Sequence, residues 1–431
     1  MLKELSLHTF TFALLISVFL PGNLFPQFTT LEPLPGIGTI WGHSAALLGD
    51  TIYIAGGSID GTPSRYFAKY SVSSGKWKYS EELPVPRSGG DMAVCGKRIY
   101  YLGGGSKSID AADKEVFVYD PASGLWKYET DIPVPVSGNS AECFNDSLIY
   151  SFFGGWKISE NVIQVYNTNS RKWFYAEPIP GSTGRRSFAC GIDGNNIFIC
   201  GGYSGGFRND LWTGVIDISS PEKIIWSMKP SLAVNTSRPG GTAIGGKFIV
   251  VPGEMPRGVV TDTVAVWSVV NDQWTYIDGK PTGISNLNNC VIGRNIDSDE
   301  GYLTQVWFTG GSFRGVSSRP MESLVINGGN TKEVQQLKTS STIPNRFELY
   351  QNYPNPFNPA TIIKFDIPFD SYVRIGIYDI LGKLILLPVL GNYRSGTYEI
   401  RLESSNLPGG CYFCKFSAGS FEKTTKMVLI K

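Results

Sequence analysis

Histidine is almost missing from this chain: His8 and His43 are the only two in 431 residues. Once an N-terminal segment holding His8 is removed, a copper site with two imidazole ligands is beyond its means. No charge of one sign dominates either. The 38 Lys and Arg residues against 37 Asp and Glu give a net charge of +1, which supplies no field for nucleic acid or an anionic membrane surface. Runs of Ala, Glu, Lys and Leu are nearly absent, and so is the case for a helical fold. After residue 20 no apolar run is long enough to cross a bilayer, so no transmembrane segment is expected. No G-x-S-x-G elbow and no phosphate-cradling loop stands out. Cys411 and Cys414 have C-x-x-C spacing, but i and i+3 on a strand point to opposite sides, so no metal or cofactor is expected there. Seven cysteines scattered singly make a poor disulfide framework and read as small buried hydrophobes. Cys190 and Cys200, expected on adjacent strands of one hairpin, form the one pair worth testing for a bridge.

What is abundant points one way. Fifty glycines and 13 % aromatics suit many short strands joined by tight turns, an all-β fold. The length calls for more than one domain. Lys3, the apolar run Phe10–Leu20 and the break at Pro21-Gly22 read as a signal peptide over residues 1–27. Eleven apolar residues are too few to span roughly 30 Å of hydrocarbon.

A cassette recurs along the next three hundred residues: an apolar strand ending in Gly-Gly, a loop, a second apolar strand, a short turn and Trp. Examples are Ile52–Gly57 with Trp77, Ile99–Gly104 with Trp126, and Ile197–Gly202 with Trp226. Phe152-Phe153-Gly154-Gly155 supplies the pair in the third copy, Gly253 stands alone in the fifth, and Val306–Gly311 opens the sixth, which lacks a closing Trp. Trp77, Trp126, Trp173, Trp226 and Trp274 follow one another at intervals of 47 to 53 residues. Such a period means repeated supersecondary units that bury their flanks against one another. The pattern resembles the kelch repeat, and the resemblance implies a six-bladed β-propeller over residues 28–329. Phe28–Leu34 is expected to supply the outer strand that the sixth copy lacks and so close the ring. The tryptophans are expected to fill wedges between blades.

Residues 330–343 are polar and read as a linker. Beyond them, short alternating runs over residues 344–431 predict a small Ig-like β-sandwich. Tyr353-Pro354-Asn355-Pro356-Phe357-Asn358-Pro359, Ile377–Lys383, Gly409-Gly410-Cys411-Tyr412-Phe413 and the terminal Lys426–Lys431 resemble the C-terminal sorting domain of type IX secretion cargo. That resemblance implies an N-terminal export signal, recognition of residues 344–431 by the secretion machinery, and a final place outside the cell or attached to its surface.

Strand alternation puts two sets of loops on one face of each blade. Residues leading into the innermost strands give His43, Arg87, Arg186 and Arg238, and the loops after the glycine pairs give Trp156, Tyr203, Arg208, Glu254 and Arg314. Arginines with aromatics suit an anionic or sugar ligand, so this face is expected to bind a glycan or a protein. A second reading rests on Gly253-Glu254-Met255-Pro256-Arg257, which resembles part of the fifth blade of N-acetylneuraminate epimerase. It would make Glu254 a general base and Arg257 a carboxylate holder in a sugar mutarotase. Val260 stands where that family has arginine.

Overall fold

The structure is a computed structural model. It describes residues 26–431 apart from 37, 109–110, 156–159, 183, 260, 281–289, 299–300, 311–319, 328–333, 341–343, 370, 383, 394, 404–406 and 420. The signal region thus lies outside the described residues, save its last two.

Six antiparallel sheets of four main strands each follow one another along the chain. Blade one runs outward through Ile40–Leu48, Thr51–Ile59, Phe67–Ser71 and Lys76–Tyr79, and blades two to five repeat that order. The innermost strands adjoin in sequence, and Ile40–Leu48 of blade one meets Val291–Ser298 of blade six. The ring is closed. Its last sheet takes its outer strand from the other end of the chain, because Gln27–Thr30 pairs antiparallel with Met321–Asn327. This strand overlaps the segment expected to close the ring and covers the outer edge of Met321–Asn327.

Sheets this small cannot bury both faces alone. Each apolar cluster accordingly lies between two blades. Ile54, Ala68 and Leu34 pack with Trp307 and Met321 across blades one and six. Ile199 and Cys190 pack with Phe152 and Val165 across blades four and three. Burying side chains of this size contributes about 1.5–3 kcal/mol each. The repeated tryptophans are half-buried plates at these seams, and three of them also latch neighbours. The indole N–H groups of Trp77, Trp226 and Trp274 donate to the carbonyls of Glu32 (2.9 Å), Glu177 (3.0 Å) and Pro230 (2.8 Å). Each acceptor lies in the stretch leaving the preceding blade.

The cysteine expectation needs correction. Cys190 and Cys200 are not bonded. The register pairs Cys190 with Ile199 and Cys200 with Ala189, so the two thiols fall on opposite faces and enter different seams. The bond joins Cys95 to Cys143 instead, across the innermost strands of blades two and three. In blade three the glycine pair is also displaced by one. Gly57, Gly104, Gly154 and Gly202 occupy one equivalent place, each donating its N–H to the strand lead-in of the next blade. Phe153, buried and at φ 48°, therefore holds the place of the first glycine.

The C-terminal unit is a sandwich of two four-stranded sheets. Leu349, Phe365, Ile375, Ile400 and Phe416 share its core. Part of the stretch read as a linker is a strand: Val334–Ser340 pairs antiparallel with Gly396–Glu403 at the edge of one sheet. Its polar sequence, which suggested a linker, is also what an edge strand carries.

Candidate functional site

The lead-ins to the inner strands and the loops after the second strands meet on one face, and in blades four and five backbone bridges knit them together. Arg186 and Tyr203 exchange both N–H···O bonds, at 3.1 and 2.9 Å. Tyr203 also bridges Phe207, and Thr236 donates its N–H to the Arg208 carbonyl at 2.7 Å. Ser237 and Glu254 exchange a further pair, both at 2.8 Å. Arg186, Tyr203, Phe207, Arg208, Arg238 and Glu254 are thereby assembled around one sector of the propeller mouth.

Within that sector the Arg186 guanidinium lies 4.4 Å from the centroid of the half-buried Tyr203 ring. Phe207 meets the same ring edge-on at 6.0 Å. Together they form a platform of aromatic surface and cation. Arg208 is held by Asp210, its Nε and NH2 donating at 3.1 and 3.2 Å. Arg185, buried, reaches the same carboxylate at 2.7 Å, and the Trp212 indole N–H donates to it at 2.8 Å. Burial opposes the Asp210 charge, but these hydrogen bonds and the two guanidinium charges outweigh it and hold the carboxyl far below the usual carboxylate range. Arg238 donates to Glu254 Oε2 at 2.5 Å, with both side chains one-third exposed. Arg257 stands exposed on the adjoining loop.

Two of the expected binding residues belong to the fold instead. His43 is buried where blades six and one meet, with Nε2 2.9 Å from the Thr309 carbonyl oxygen and 3.2 Å from Cys290 Sγ. It pins the closure. Arg87 is 1 % exposed and is held by Asp113 at 3.0 Å and Glu115 at 2.9 Å. A guanidinium taken out of water needs such partners, and these two hold it inside blade two. Trp156 and Arg314 lie outside the described residues.

The sequence matches the Kelch motif over residues 42–84 and the KLHDC2/KLHL20/DRC7 Kelch-repeats domain over residues 92–296. Residues 351–431 match the secretion system C-terminal sorting domain. The chain is a kelch-repeat protein with a C-terminal secretion sorting domain. Its propeller is similar to Kelch-like protein 26 of Danio rerio, 30 % identical over 31 % of this chain and 23 % of that protein. It is also similar to Kelch domain-containing protein 3 of Bos taurus, 27 % identical over 40 % of this chain and 50 % of that protein. The chain therefore spans a quarter to a half of the length of these relatives. The solved structure of YjhT shares the fold, with a TM-score of 0.56 at 15 % identity over 69 % of this chain and 97 % of that one. The kelch propeller and its sorting tail make this an interaction module directed to export.

Several residues of the kelch mouth escaped the sequence reading. Phe207, Arg185 and Asp210 carried a signal only in hindsight of the repeat. Lined up with Arg87 and its carboxylates at 113 and 115, Arg185 falls at the lead-in of blade four and Asp210 just before the third strand. Asp91, beside the propeller axis, gave none. Its carboxylate accepts from Ser44 Oγ at 2.6 Å, the Ala141 N–H at 2.7 Å and Ser140 Oγ at 3.1 Å, stitching blades one, two and three.

Proposed function

We propose that this protein is an exported carbohydrate-binding module, carried out by the signal segment within residues 1–27 and by the sorting domain at residues 344–431, and acting outside the cell or on its surface. The observation that carries the glycan reading is the Arg186–Tyr203–Phe207 platform. A half-buried ring next to cations offers one face for stacking a pyranose and donors for its oxygens. The measurement is a glycan array probed with the full protein and with Tyr203→Ala and Arg186→Ala. At least a tenfold loss of signal with unchanged melting supports the reading. Equal signal from all three proteins rejects it, and selective capture of a protein ligand at the same residues replaces it.

The mutarotase reading keeps one feature in its favour, a carboxylate in the mouth at Glu254. Arg238 engages that carboxylate through Oε2, so a general base here would have to work through its other oxygen. Exchange of sugar anomers followed by NMR, with wild type against Glu254→Ala, separates the two. Equal rates leave the binding reading.

A further inference from the structure

Lys280 and Glu322 face each other with Nζ 2.6 Å from Oε2, and both are out of water, at 2 % and 1 % exposure. Among the described residues no other ion pair has both side chains buried. Lys280 lies in the stretch between blades five and six, where its N–H donates to the Asp262 carbonyl at 3.0 Å. Glu322 is on the third strand of blade six, paired with Phe308. Leu324, two residues along and on the same face of that strand, belongs to the apolar cluster shared with blade five. The Phe308 ring centroid is 5.7 Å from the amine.

Blade three shows what this position does elsewhere. Gln164 pairs with Ser151 as Glu322 pairs with Phe308, each opposite the residue two before the place of the first glycine, Phe153 and Gly310. The Gln164 side chain grips the incoming stretch through its amide. Its Oε1 accepts the Val134 N–H at 2.7 Å, and its Nε2 donates to the Val134 carbonyl at 2.9 Å. Val134 and Lys280 both lie in an incoming stretch, directly before a proline. A neutral amide thus serves the seam in blade three, where blade six places two ionisable groups.

Burial penalises both charges, and the desolvation of such a pair can exceed its Coulomb attraction. It pulls the Lys280 amine below its ordinary value in spite of the Glu322 charge beside it. Moving one proton from the ammonium to the carboxylate leaves an amine and a carboxylic acid, with no charge to solvate. Those are the two reactants of an amide. The carboxyl carbon is one bond beyond Oε2, so little motion separates Nζ from the attack range of about 3–3.5 Å, and the fold has already supplied the orientation.

We infer that Lys280 and Glu322 become joined by an intramolecular amide bond, a self-modification that the folding of blade six brings about. The Nζ lone pair adds to Glu322 Cδ and forms the new N–C bond. The bond from Cδ to the protonated oxygen breaks, and the departing hydroxyl takes one amine proton and leaves as water. Oxidant, cofactor and second substrate do not enter the balance. The product is a neutral secondary amide at the position where blade three carries the Gln164 amide. It fastens the stretch leaving blade five to the blade whose outer strand comes from residues 27–30.

The test is peptide mapping of the full protein by tandem mass spectrometry. Trypsin is expected to yield a branched peptide with Lys280 on one arm and Glu322 on the other, lighter than the two arms together by one water. Protein dissolved from inclusion bodies in urea, where the fold has not brought the pair together, is expected to lack the branch and to gain it at least tenfold on refolding. Lys280→Met is expected to give both arms as separate linear peptides. Separate arms from folded wild type overturn the inference and leave an ordinary buried ion pair. A branch already complete in the unfolded chain overturns it too, because the fold would not direct that chemistry. So does a branch to Glu322 that persists in Lys280→Met. Wild type alone decides the point should that variant fail to fold.

Discussion

Cys95 and Cys143 are joined across the innermost strands of blades two and three, with their Cα atoms 5.5 Å apart and a separation of 48 in sequence. That separation is one repeat. Equivalent side chains point the same way round the ring, and Cys143 stands one position short of the equivalent of Cys95, counted from Gly89 and Gly138. That offset turns the two side chains toward each other across the seam, within bonding reach. Closing a loop of this length restricts the unfolded chain and stabilises by about 2–4 kcal/mol. We expect the Cys95→Ser/Cys143→Ser protein to unfold at lower denaturant than wild type, with the gap vanishing in excess dithiothreitol. Coincident unfolding curves without reductant would contradict the bond.

How far the sequence could be read follows from the same geometry. The repeat announces itself because each blade must present the same flanks to its neighbours, so Trp77 and Trp126 recur with their glycine pairs. The Cys95–Cys143 bond was hidden because pairing within a hairpin, at Cys190 and Cys200, looks nearer than pairing across a repeat. Arg87 and Arg186 look alike in sequence, each leading into an inner strand. Their surroundings differ through Asp113 and Glu115, which only the fold brings to Arg87. His43 looked like a mouth residue until Thr309, 266 residues away, was seen to hold its ring.

Arg87 and Arg186 make opposite expectations. Removing Arg87 empties a buried site and takes the partner from Asp113 and Glu115, which are themselves partly exposed, a loss of about 1–3 kcal/mol. Arg186→Ala uncovers the Tyr203 ring and removes a half-buried side chain. Urea unfolding should therefore show Arg87→Ala destabilised well beyond Arg186→Ala, with glycan binding lost in the latter. Similar midpoints for the two variants would refute the assignment of Arg87 to the fold.

Asp91 makes stability depend on pH. Burial pushes its carboxyl up to about 7, against the pull of the hydrogen bonds from Ser44 and the Ala141 N–H. Glu142, half-buried on the next inner strand, is pushed up to about 8 by burial and then by the Asp91 charge. Both acids bind protons more tightly folded than unfolded, so their contribution is full below pH 4 and is lost as the pH rises through 7 to 8. The melting temperature should fall between pH 5 and pH 8.5, and Asp91→Asn/Glu142→Gln should flatten that slope whatever its absolute stability. An equal slope in the variant would remove these two residues as its source.

The outer strand of blade six comes from residues 27–30, and the chain after it stays engaged. Leu31 donates its N–H to the Met321 carbonyl at 2.8 Å, Leu34 is buried, and the Glu32 carbonyl takes the Trp77 indole. Deleting residues 26–34 uncovers the edge of Met321–Asn327 and the seam between blades six and one. Thermal melting of the shortened protein should drop by at least 10 °C, on the order of 6 kcal/mol for a propeller of roughly 300 residues at about 2 cal/mol/K each. A drop of less than 2 °C would mean that the ring does not depend on this strand.

The sorting domain ends in a strand, Phe421–Leu429, whose outer flank is covered by the segment around Asn355. Pro354 and Pro356 have no N–H to donate, so the side chain between them does what the backbone cannot. Asn355 Oδ1 accepts the Val428 N–H at 2.8 Å, and its Nδ2 donates to the Lys426 carbonyl at 3.0 Å. Phe357, buried in the core, extends the contact by donating to the Val428 carbonyl and accepting from the Ile430 N–H, both at 2.9 Å. Asn355→Ala removes two of these bonds and leaves a strand amide without its acceptor, a cost of about 1–3 kcal/mol. Asn355→Asp keeps the acceptor and loses the donor, so its effect should be smaller. Hydrogen exchange at the Val428 amide should then quicken at least fivefold in Asn355→Ala and less in Asn355→Asp, while amides of the propeller stay unchanged. Unaltered Val428 exchange in Asn355→Ala would show that the last strand holds without this clamp.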